Sequence, residues 1–227
     1  MKRQRIGLLG GTFNPIHMGH LHAAREVLNA FQLDFVLFIL AGSPPHKENA
    51  EILSVHHRLE MVRLALSETP QFQLCDLETT RSGPSFTIDT VEALQQRYPK
   101  DLLFFIVGMD AFTQFHTWKS PERLLTLCDF VIIARPGHPF SKVPGIDTLR
   151  TIDRTALHDL DHGFKKLYRF ATSDQTALHF ISIPISPISA TEIRRGLESD
   201  PTTRKRLPQS VESYIIKHKI YKEDGHF

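Results

Sequence analysis

Continuous apolar runs alternate with helical patterns along most of this 227-residue chain. The apolar runs lie at residues 6–9, 35–40, 102–107 and 130–134, and the helical patterns lie at 21–30, 54–66, 87–96 and 122–127. Residues 180–183, which include Ser182, predict an edge strand or a late strand. Unbroken apolar runs are typical of parallel strands that are buried on both faces. The alternation predicts an α/β fold: a doubly wound, Rossmann-like parallel sheet flanked by helices, with a C-terminal helical portion.

One region interrupts this alternation. Residues from about 141 to 176 are polar and lack a strong strand signal. We interpret them as a partly helical surface insertion within a single domain that spans residues 1–227, since a chain of this length fits one large domain.

Composition excludes several classes of protein. The formal net charge is only +2, which gives no reason to expect a nucleic-acid-binding surface, and the basic cluster at 204–206 is better explained as a solvated loop. The two cysteines, Cys75 and Cys128, form no C-x-x-C pair and suit a reducing compartment. No run approaches the length of a membrane helix. We expect a cytoplasmic protein without nucleic-acid or membrane partners, and a homo-oligomer is compatible with the sequence.

The segment at 10–20, GGTFNPIHMGH, follows the first apolar run directly. A helix beginning near Met18 would place His17 and His20, three residues apart, at its N-terminus and on one face. Helix N-termini attract phosphate through free N–H groups and partial positive charge, and imidazoles add donors. The P-loop and dinucleotide fingerprints are both absent. The segment predicts a polyphosphate site, whereas the simpler reading is two solvated histidines at a helix start.

Polar groups also follow the second and third apolar runs. Lys47, after the prolines at 44 and 45, is a point charge suited to phosphate oxygens, although a surface lysine is the alternative. Asp110 follows Gly108, which allows close approach of a ligand, and its carboxylate suits ribose hydroxyls. Capping of the next helix by Asp110 is a compatible second reading.

Two further helix starts carry candidate ligand groups. Ser85 can cap the helix that begins near Thr87, where backbone N–H groups could meet an anion. Ser189 with Glu192 reads as a capping box, and its hydroxyl, Thr191 and Arg194 would form a second phosphate site. An ordinary capped helix is the alternative at both places.

The only tryptophan, Trp118, lies in a polar segment beside Lys119. An exposed indole can stack on a flat heteroaromatic ring. Packing in the core is the alternative for this side chain.

Together these motifs resemble the bacterial nicotinate-nucleotide adenylyltransferases of the nucleotidylyltransferase superfamily. GGTFNPIHMGH, PPHK, PSFT, GMDAF, the Trp118 region, ARPG and ISATEIR stand in that family's order, from residue 6 to about 139 and again from 180 to about 221. Ala190 replaces a serine found in many members. Because the 141–176 region is longer than the family leads us to expect, no role transfers to it.

The resemblance implies adenylyl transfer from ATP to nicotinate mononucleotide, giving deamido-NAD and pyrophosphate. It implies three groups of residues. The catalytic group is His17, His20, Lys47 and Arg194. The ATP group is Gly10, Thr12, Phe13, Gly19, Gly108, Asp110, Arg135, Ser189 and Thr191. The group for the second substrate is Asn14, Ser85, Thr87, Trp118 and Lys119. Mg²⁺ would arrive with ATP, and no protein metal site is expected.

The nucleophile in this reaction is already anionic, so we expect positioning and charge stabilisation rather than a general base. Two rivals remain at this stage. Phosphopantetheine adenylyltransferases share the T/H-x-G-H and I-S-x-T elements but are shorter and lack PSFT and the tryptophan. A non-catalytic nucleotide sensor on the same fold is the other. No acidic residue lies between Phe112 and Pro121, so we also expect the acid mononucleotide to be preferred over the amide.

Overall fold

The structure is a computed structural model, and it describes residues 2–42, 52–81, 83–184, 188–197 and 199–221. Seven strands form one sheet in the order β3-β2-β1-β4-β5-β7-β6. The strands are β1 Arg5–Gly11, β2 Phe35–Leu40, β3 Phe72–Cys75, β4 Leu102–Gly108, β5 Asp129–Ile133, β6 Leu167–Ala171 and β7 Ala177–Ile181. Strands β1, β4, β5 and β7 pair in parallel, whereas β6 pairs antiparallel with β7.

Helices connect these strands in the described residues. They are α1 Met18–Ala30, α2 Val55–Leu66, α3 Thr87–Arg97, α4 Met109–Phe112, α5 Pro121–Leu127, α6 Arg154–Asp161, α7 Ala190–Gly196, α8 Pro201–Arg204 and α9 Gln209–Lys217. Short 3₁₀ turns lie at Phe115–Thr117, Phe140–Lys142 and Asp147–Leu149. The predicted α/β class with a doubly wound sheet and C-terminal helices is confirmed.

The apolar runs became the central strands because they are buried throughout. All six residues of β2 are buried, and so are the five inner residues of β4. The strand order reverses between β1 and β4, which pair in parallel from Arg5↔Leu102 to Leu9↔Ile106. In sheets of this kind, ligands bind beyond the carboxyl ends of the strands at the point of reversal.

The prediction for residues 141–176 was wrong in one respect. The region contains the expected helix, α6, which Asp153 caps by accepting hydrogen bonds from two backbone N–H groups. It also contains β6, an edge strand of the sheet. No residue of β6 is fully buried, so its sequence lacks the continuous apolar run that marked the other strands. The edge strand β3 was missed as well, since only its first and last residues are buried.

The chain divides into two compact units. Unit 1 comprises Met1–Leu9, Ala23–Val36 and Phe86–Ile185, and unit 2 comprises Gly10–His22, Leu37–Ser85 and Ser186–Phe227. The core of unit 1 contains the fully buried rings of Phe112, Phe130 and Phe180. In unit 2, Phe38 packs against Phe13 and Phe72. The single-domain assignment stays a prediction.

In the described part of the chain, no helix combines the length and the apolar character needed to cross a membrane.

Candidate functional site

A tight turn in unit 2 follows β1. Phe13 adopts the left-handed conformation with φ 47°, which side chains other than glycine rarely take. Its ring is buried and packs on Phe38, with ring centroids 5.9 Å apart, and edge-on to His20 at 5.1 Å. The peptide bond between Asn14 and Pro15 is cis. The burial of Phe13 therefore fixes the turn that carries the chain from the sheet to α1.

His17 and His20 lie together at the start of α1, as predicted. Their rings stack, with centroids 3.7 Å apart and planes 24° from parallel. The backbone N–H of His17 donates to Nδ1 of His20 at 3.2 Å. When His20 is neutral, this bond requires its proton to be on Nε2, so Nε2 is a donor. A Cβ at Gly19 would lie 3.1 Å from the His17 ring, and glycine therefore lets that ring lie close to the helix backbone.

The backbone N–H groups at this helix start are less available than the sequence suggested. The N–H of Met18 donates to the carbonyl of Arg206 at 2.8 Å. The N–H groups of His20 and Leu21 both point to the carbonyl of His17. The expectation of free N–H donors is thus wrong for these three residues. The imidazoles are therefore donors through which this end of α1 can meet an anion.

Arg194 is brought to the same turn. Its Nη1 donates to the carbonyl of Asn14 at 2.9 Å, and its Nη2 lies 3.5 Å from Oγ1 of Thr191. The Asn14 side chain is buried, and its Oδ1 accepts from the hydroxyl of Tyr221 at 2.6 Å and from the N–H of Leu53 at 3.4 Å. The predicted residues Asn14, Thr191 and Arg194 therefore form one connected group in unit 2.

The predicted capping box at α7 was wrong. Ser189 occupies the N-cap position, but its side chain makes no capping hydrogen bond. Glu192 instead pairs with Arg206, whose Nη1 lies 3.1 Å from its Oε2. Because the Glu192 carboxylate is paired with Arg206, it takes no part in a capping box with Ser189. The ATP-binding roles of Ser189 and Thr191 stay predictions.

Sequence reasoning missed Arg58 on α2. This side chain is 1% exposed and donates to four backbone carbonyls: those of Thr12, Ala41, Gly42 and Leu53, at 3.0, 2.7, 3.2 and 2.9 Å. Burial lowers the pKa of its guanidinium. The buried residues of α2 are Arg58, Met61, Val62 and Leu66. The spacing of Arg58 to Met61 and Val62 is the signal that could have identified it.

The PSFT segment differs from its prediction at Ser85. Phe86 is the N-cap of α3 and no side chain caps that helix, so the capping role of Ser85 was wrong. Among the described residues, the buried Oγ of Ser85 has no hydrogen-bond partner. A Cβ at Gly42 would lie 3.2 Å from this Oγ and would collide with the carbonyl of Glu78. Lys47 lies outside the described residues.

In unit 1, Asp110 and Arg135 lie together beyond the ends of β4 and β5. Nε of Arg135 is 3.6 Å from Oδ1 of Asp110. A Cβ at Gly108 would collide with that carboxylate oxygen and would lie 2.8 Å from Nε of Arg135. A cavity of about 380 Å³ adjoins Arg135, with Phe140 and Ser182 also in its lining. The three predicted ATP-binding residues Gly108, Asp110 and Arg135 are therefore neighbours, and Arg135 also lines the cavity.

Trp118 is half-buried. This exposure lies between the two alternatives predicted from the sequence, an exposed ring that stacks on a ligand and a side chain packed in the core. Its ring packs against Phe115 at 5.2 Å and edge-on to Phe105 at 6.0 Å, while the side chain keeps part of its surface exposed. The indole is therefore held by the core without being enclosed in it.

The neighbouring Lys119 is not an isolated charge. Its Nζ lies 3.0 and 3.2 Å from the two carboxylate oxygens of Asp89 and 4.8 Å from the centre of the Phe86 ring. Asp89 is on α3, two residues after Thr87. It therefore lies outside the segment between Phe112 and Pro121, whose lack of acidic residues had suggested an uncompensated positive charge.

No group of three or more histidine, cysteine or carboxylate side chains in the described ranges is arranged to hold a metal ion. The donors around the turn after β1 are imidazole and guanidinium groups. Such groups suit phosphate oxygens and not a hard cation.

Comparison with known proteins shows the family to which this chain is related. The cytidylyltransferase-like family matches residues 8–196. A protein of Citrifermentans bemidjiense named "probable nicotinate-nucleotide adenylyltransferase" is 39% identical over 217 residues, covering 96% of this chain and 98% of that protein. A protein of Thermus thermophilus with the same name is 38% identical over 218 residues. That match covers 96% of this chain and 100% of the other protein.

The chain belongs to the nicotinate-nucleotide adenylyltransferase family.

Membership in the nicotinate-nucleotide adenylyltransferase family confirms the resemblance that the motifs indicated. The fold agrees with a solved structure, a Plasmodium falciparum nicotinic acid mononucleotide adenylyltransferase complexed with NaAD. The two share a TM-score of 0.71 at 21% sequence identity, over 96% of this chain and 98% of the other. The individual roles assigned to the site residues stay predictions.

Proposed function

We propose that this protein transfers the adenylyl group of ATP to nicotinate mononucleotide. A phosphate oxygen of the mononucleotide attacks the α-phosphorus of ATP in line and forms a new P–O bond. The bond from that phosphorus to the oxygen bridging to the β-phosphate breaks, and pyrophosphate leaves with the electron pair. The product is nicotinate adenine dinucleotide. Because the attacking oxygen is already anionic, no group has to remove a proton from it.

The stacked His17–His20 pair is the observation that carries this proposal. Negative charge builds on the phosphate oxygens during transfer, and donors fixed in advance stabilise it without having to reorganise. His20 presents Nε2–H because its Nδ1 accepts the N–H of His17. Arg194, held by the carbonyl of Asn14, supplies a permanent charge and further N–H donors. In this proposal these three side chains contact the triphosphate.

We assign the nucleoside part of ATP to the group at the ends of β4 and β5. Asp110 can accept hydrogen bonds from ribose hydroxyls, and its side chain is 48% exposed. Gly108 leaves the backbone open to close approach, and the cavity beside Arg135 has room for a flat base.

We assign the pyridine ring of the mononucleotide to Trp118. The indole is packed against Phe115 and Phe105 and is therefore pre-positioned to stack on a ring. The first turn of α3 at Thr87 supplies the donors that we propose for the substrate in unit 1. The Oγ of Ser85, in unit 2, has no hydrogen-bond partner in the described residues and stays a predicted donor to the substrate. The attraction between Lys119 and the carboxylate of the nicotinate ring would be weakened, because Asp89 already pairs with Lys119.

Mg²⁺ enters this proposal as part of the MgATP substrate. Imidazole and guanidinium donors fit phosphate better than the cation, so phosphate oxygens and water would hold the ion. We place the reaction in the cytoplasm. Cys75 and Cys128 are both buried free thiols, which suits a reducing compartment.

A substrate panel tests the proposal. The purified protein is given MgATP with nicotinate mononucleotide, nicotinamide mononucleotide or phosphopantetheine, and pyrophosphate release and the dinucleotide product are measured. We expect fastest turnover with nicotinate mononucleotide. ATP binding without turnover on any of the three would support the nucleotide sensor instead, and fastest turnover with phosphopantetheine would support the rival enzyme.

A further inference from the structure

The Arg58 guanidinium connects three separate pieces of chain in unit 2. Its Nη1 bonds to the carbonyl of Thr12, in the turn after β1, and to that of Ala41, just after β2. Its Nη2 bonds to the carbonyl of Gly42. Its Nε bonds to the carbonyl of Leu53, which precedes α2. In the chain, Gly42 precedes the segment 43–51 and Leu53 follows it, so one side chain holds both flanks of that segment.

The chemistry of this arrangement is unusual for an arginine. Burying a guanidinium removes it from water at a large cost, which proteins usually offset with a carboxylate. In the part of the chain that the structure describes, every hydrogen-bond partner of the Arg58 side chain is a backbone carbonyl, and no carboxylate forms an ion pair with it. Carbonyls have a fixed place in the chain, so these bonds define where the backbone lies.

The last residue of β1 is also bonded directly to the residue that follows β2. The N–H of Ala41 donates to the carbonyl of Gly11 at 2.9 Å. Gly11 and Thr12 lead into the turn that carries His17 and His20. A change in the position of Thr12 would therefore move the histidines relative to the end of β2.

We propose that Arg58 is a positioning residue for adenylyl transfer. It contacts no reacting atom and acts by fixing the loop after β1 against the loop after β2, so that the imidazoles at the start of α1 are correctly placed. A displacement of about 1 Å in a catalytic group can lower a rate by about 10²-fold. Lysine cannot replace arginine here, because a single ammonium on a flexible stem cannot span the carbonyls that the planar fork of arginine reaches.

The kinetic arm of the test uses Arg58→Lys, with Arg63→Lys as the matched control. Arg63 is on the same helix, and its side chain is 59% exposed and paired with Glu60. For Arg58→Lys we expect kcat to fall by about 10²-fold while KM for ATP and for the mononucleotide changes by less than about threefold. For Arg63→Lys we expect kcat and both KM values within about twofold of the wild type.

This arm rests on the proposed function, so a second arm needs no turnover. Hydrogen–deuterium exchange is measured on the backbone amide of Ala41 and on the amides of β4. In Arg58→Lys, the Ala41 amide should exchange at least about tenfold faster, while the β4 amides are unchanged. Failure of the wild type to turn over would contradict the proposed function alone, since the exchange arm would still report on Arg58.

Three outcomes overturn the inference. The first is a folded Arg58→Lys protein with wild-type kcat and a lowered melting temperature, which would make the role purely one of stability. The second is unchanged exchange at Ala41. The third is an Arg58→Lys protein that does not fold, which would make Arg58 a requirement of folding and not a residue that positions the loops.

Discussion

The hydroxyl of Tyr221 donates a hydrogen bond to the side-chain oxygen of Asn14, which lies 2.6 Å away and 207 positions earlier in the chain. Both side chains are buried, and Asn14 forms part of the turn that leads to His17. A residue near the end of the chain thus helps to hold a loop near its beginning.

Tyr221→Phe should lower the free energy of unfolding by about 1–2 kcal/mol, because it removes one buried hydrogen bond and leaves part of the Asn14 oxygen unsatisfied. Urea unfolding measures this change. Tyr214→Phe is the control, since its hydroxyl also has one partner, Nδ1 of His57 at 2.8 Å, but at a half-exposed position. A larger loss in Tyr214→Phe than in Tyr221→Phe would contradict the prediction.

Tyr221 also leads to a prediction of how the free energy of unfolding depends on pH. Burial raises the pKa of Tyr221 above its ordinary value of 10.0. The unfolded chain therefore loses this proton near pH 10, while the folded protein keeps it. The stabilisation is complete below that pH and is lost as the pH rises toward the folded-state pKa. The slope is up to about 1.4 kcal/mol per pH unit.

Urea unfolding of the wild type and Tyr221→Phe at pH 8.5, 10 and 11 checks this pH dependence. The stability difference should be constant well below pH 10 and should shrink as the pH rises through 10. Burial also raises the pKa of Cys128, but that contribution is common to both proteins and cancels. A difference that stays the same at pH 11 would count against the assignment.

His17→Ala and His20→Ala should each lower kcat by about 10²–10³-fold, the range for loss of one preorganised donor, with smaller changes in KM. Steady-state kinetics measures both constants. His22→Ala is the control on the same helix, because a residue two positions from His20 does not share its face. Near-normal turnover in both test variants would remove the histidines from the mechanism.

Trp118→Phe should raise KM for the mononucleotide several-fold and leave KM for ATP unchanged. Phenylalanine keeps the packing against Phe115 but offers a smaller ring for stacking, and stacking contributes about 1–3 kcal/mol. Phe115→Leu is the control: it disturbs the buried side of the cluster and should lower the melting temperature without this change in KM. If Trp118→Phe lowers the melting temperature and leaves both KM values alone, the indole is only a core residue.

The protein should prefer nicotinate mononucleotide over nicotinamide mononucleotide by about 10²-fold in kcat/KM, since donors facing an amide nitrogen would be left unpaired. Lys119→Met should lower that ratio by less than about tenfold, because Asp89 already offsets the lysine charge. Arg123→Met is the control, as Arg123 makes a similar ion pair with Glu92, which lies on α3 like Asp89. Equal kcat/KM values for the acid and the amide in the wild type would show that the pocket is misassigned.

The parts of the fold that sequence could predict are those with strong local signals. Strands β2 and β4 are buried on both faces, so their apolar runs identified them. Strand β6 is an edge strand with no buried residue, and such a strand is specified by its pairing with β7 and not by its own pattern.

The residues of the candidate site also divide into those with a local sequence signal and those without one. His17, His20 and Gly19 lie within one short motif, so their proximity could be read from the sequence. Arg58 and Tyr221 reach the same turn from far along the chain, and only the fold shows that they meet it. The capping box at Ser189 failed because Glu192 pairs with Arg206, 14 positions away, in preference to its own helix start.

The carbonyl of Arg206, which accepts the first N–H of α1, has a consequence for how the protein is made. The ribosome completes the GGTFNPIHMGH segment before it reaches Arg194, Arg206 and Tyr221, which supply hydrogen-bond partners for that segment. At about 5–20 residues per second, the 207 positions from Asn14 to Tyr221 take about 10–40 s to synthesise. Until Tyr221 has been made, the nascent turn lacks at least one of these partners, so it reaches its full set of hydrogen bonds only after α7, α8 and α9 have been synthesised.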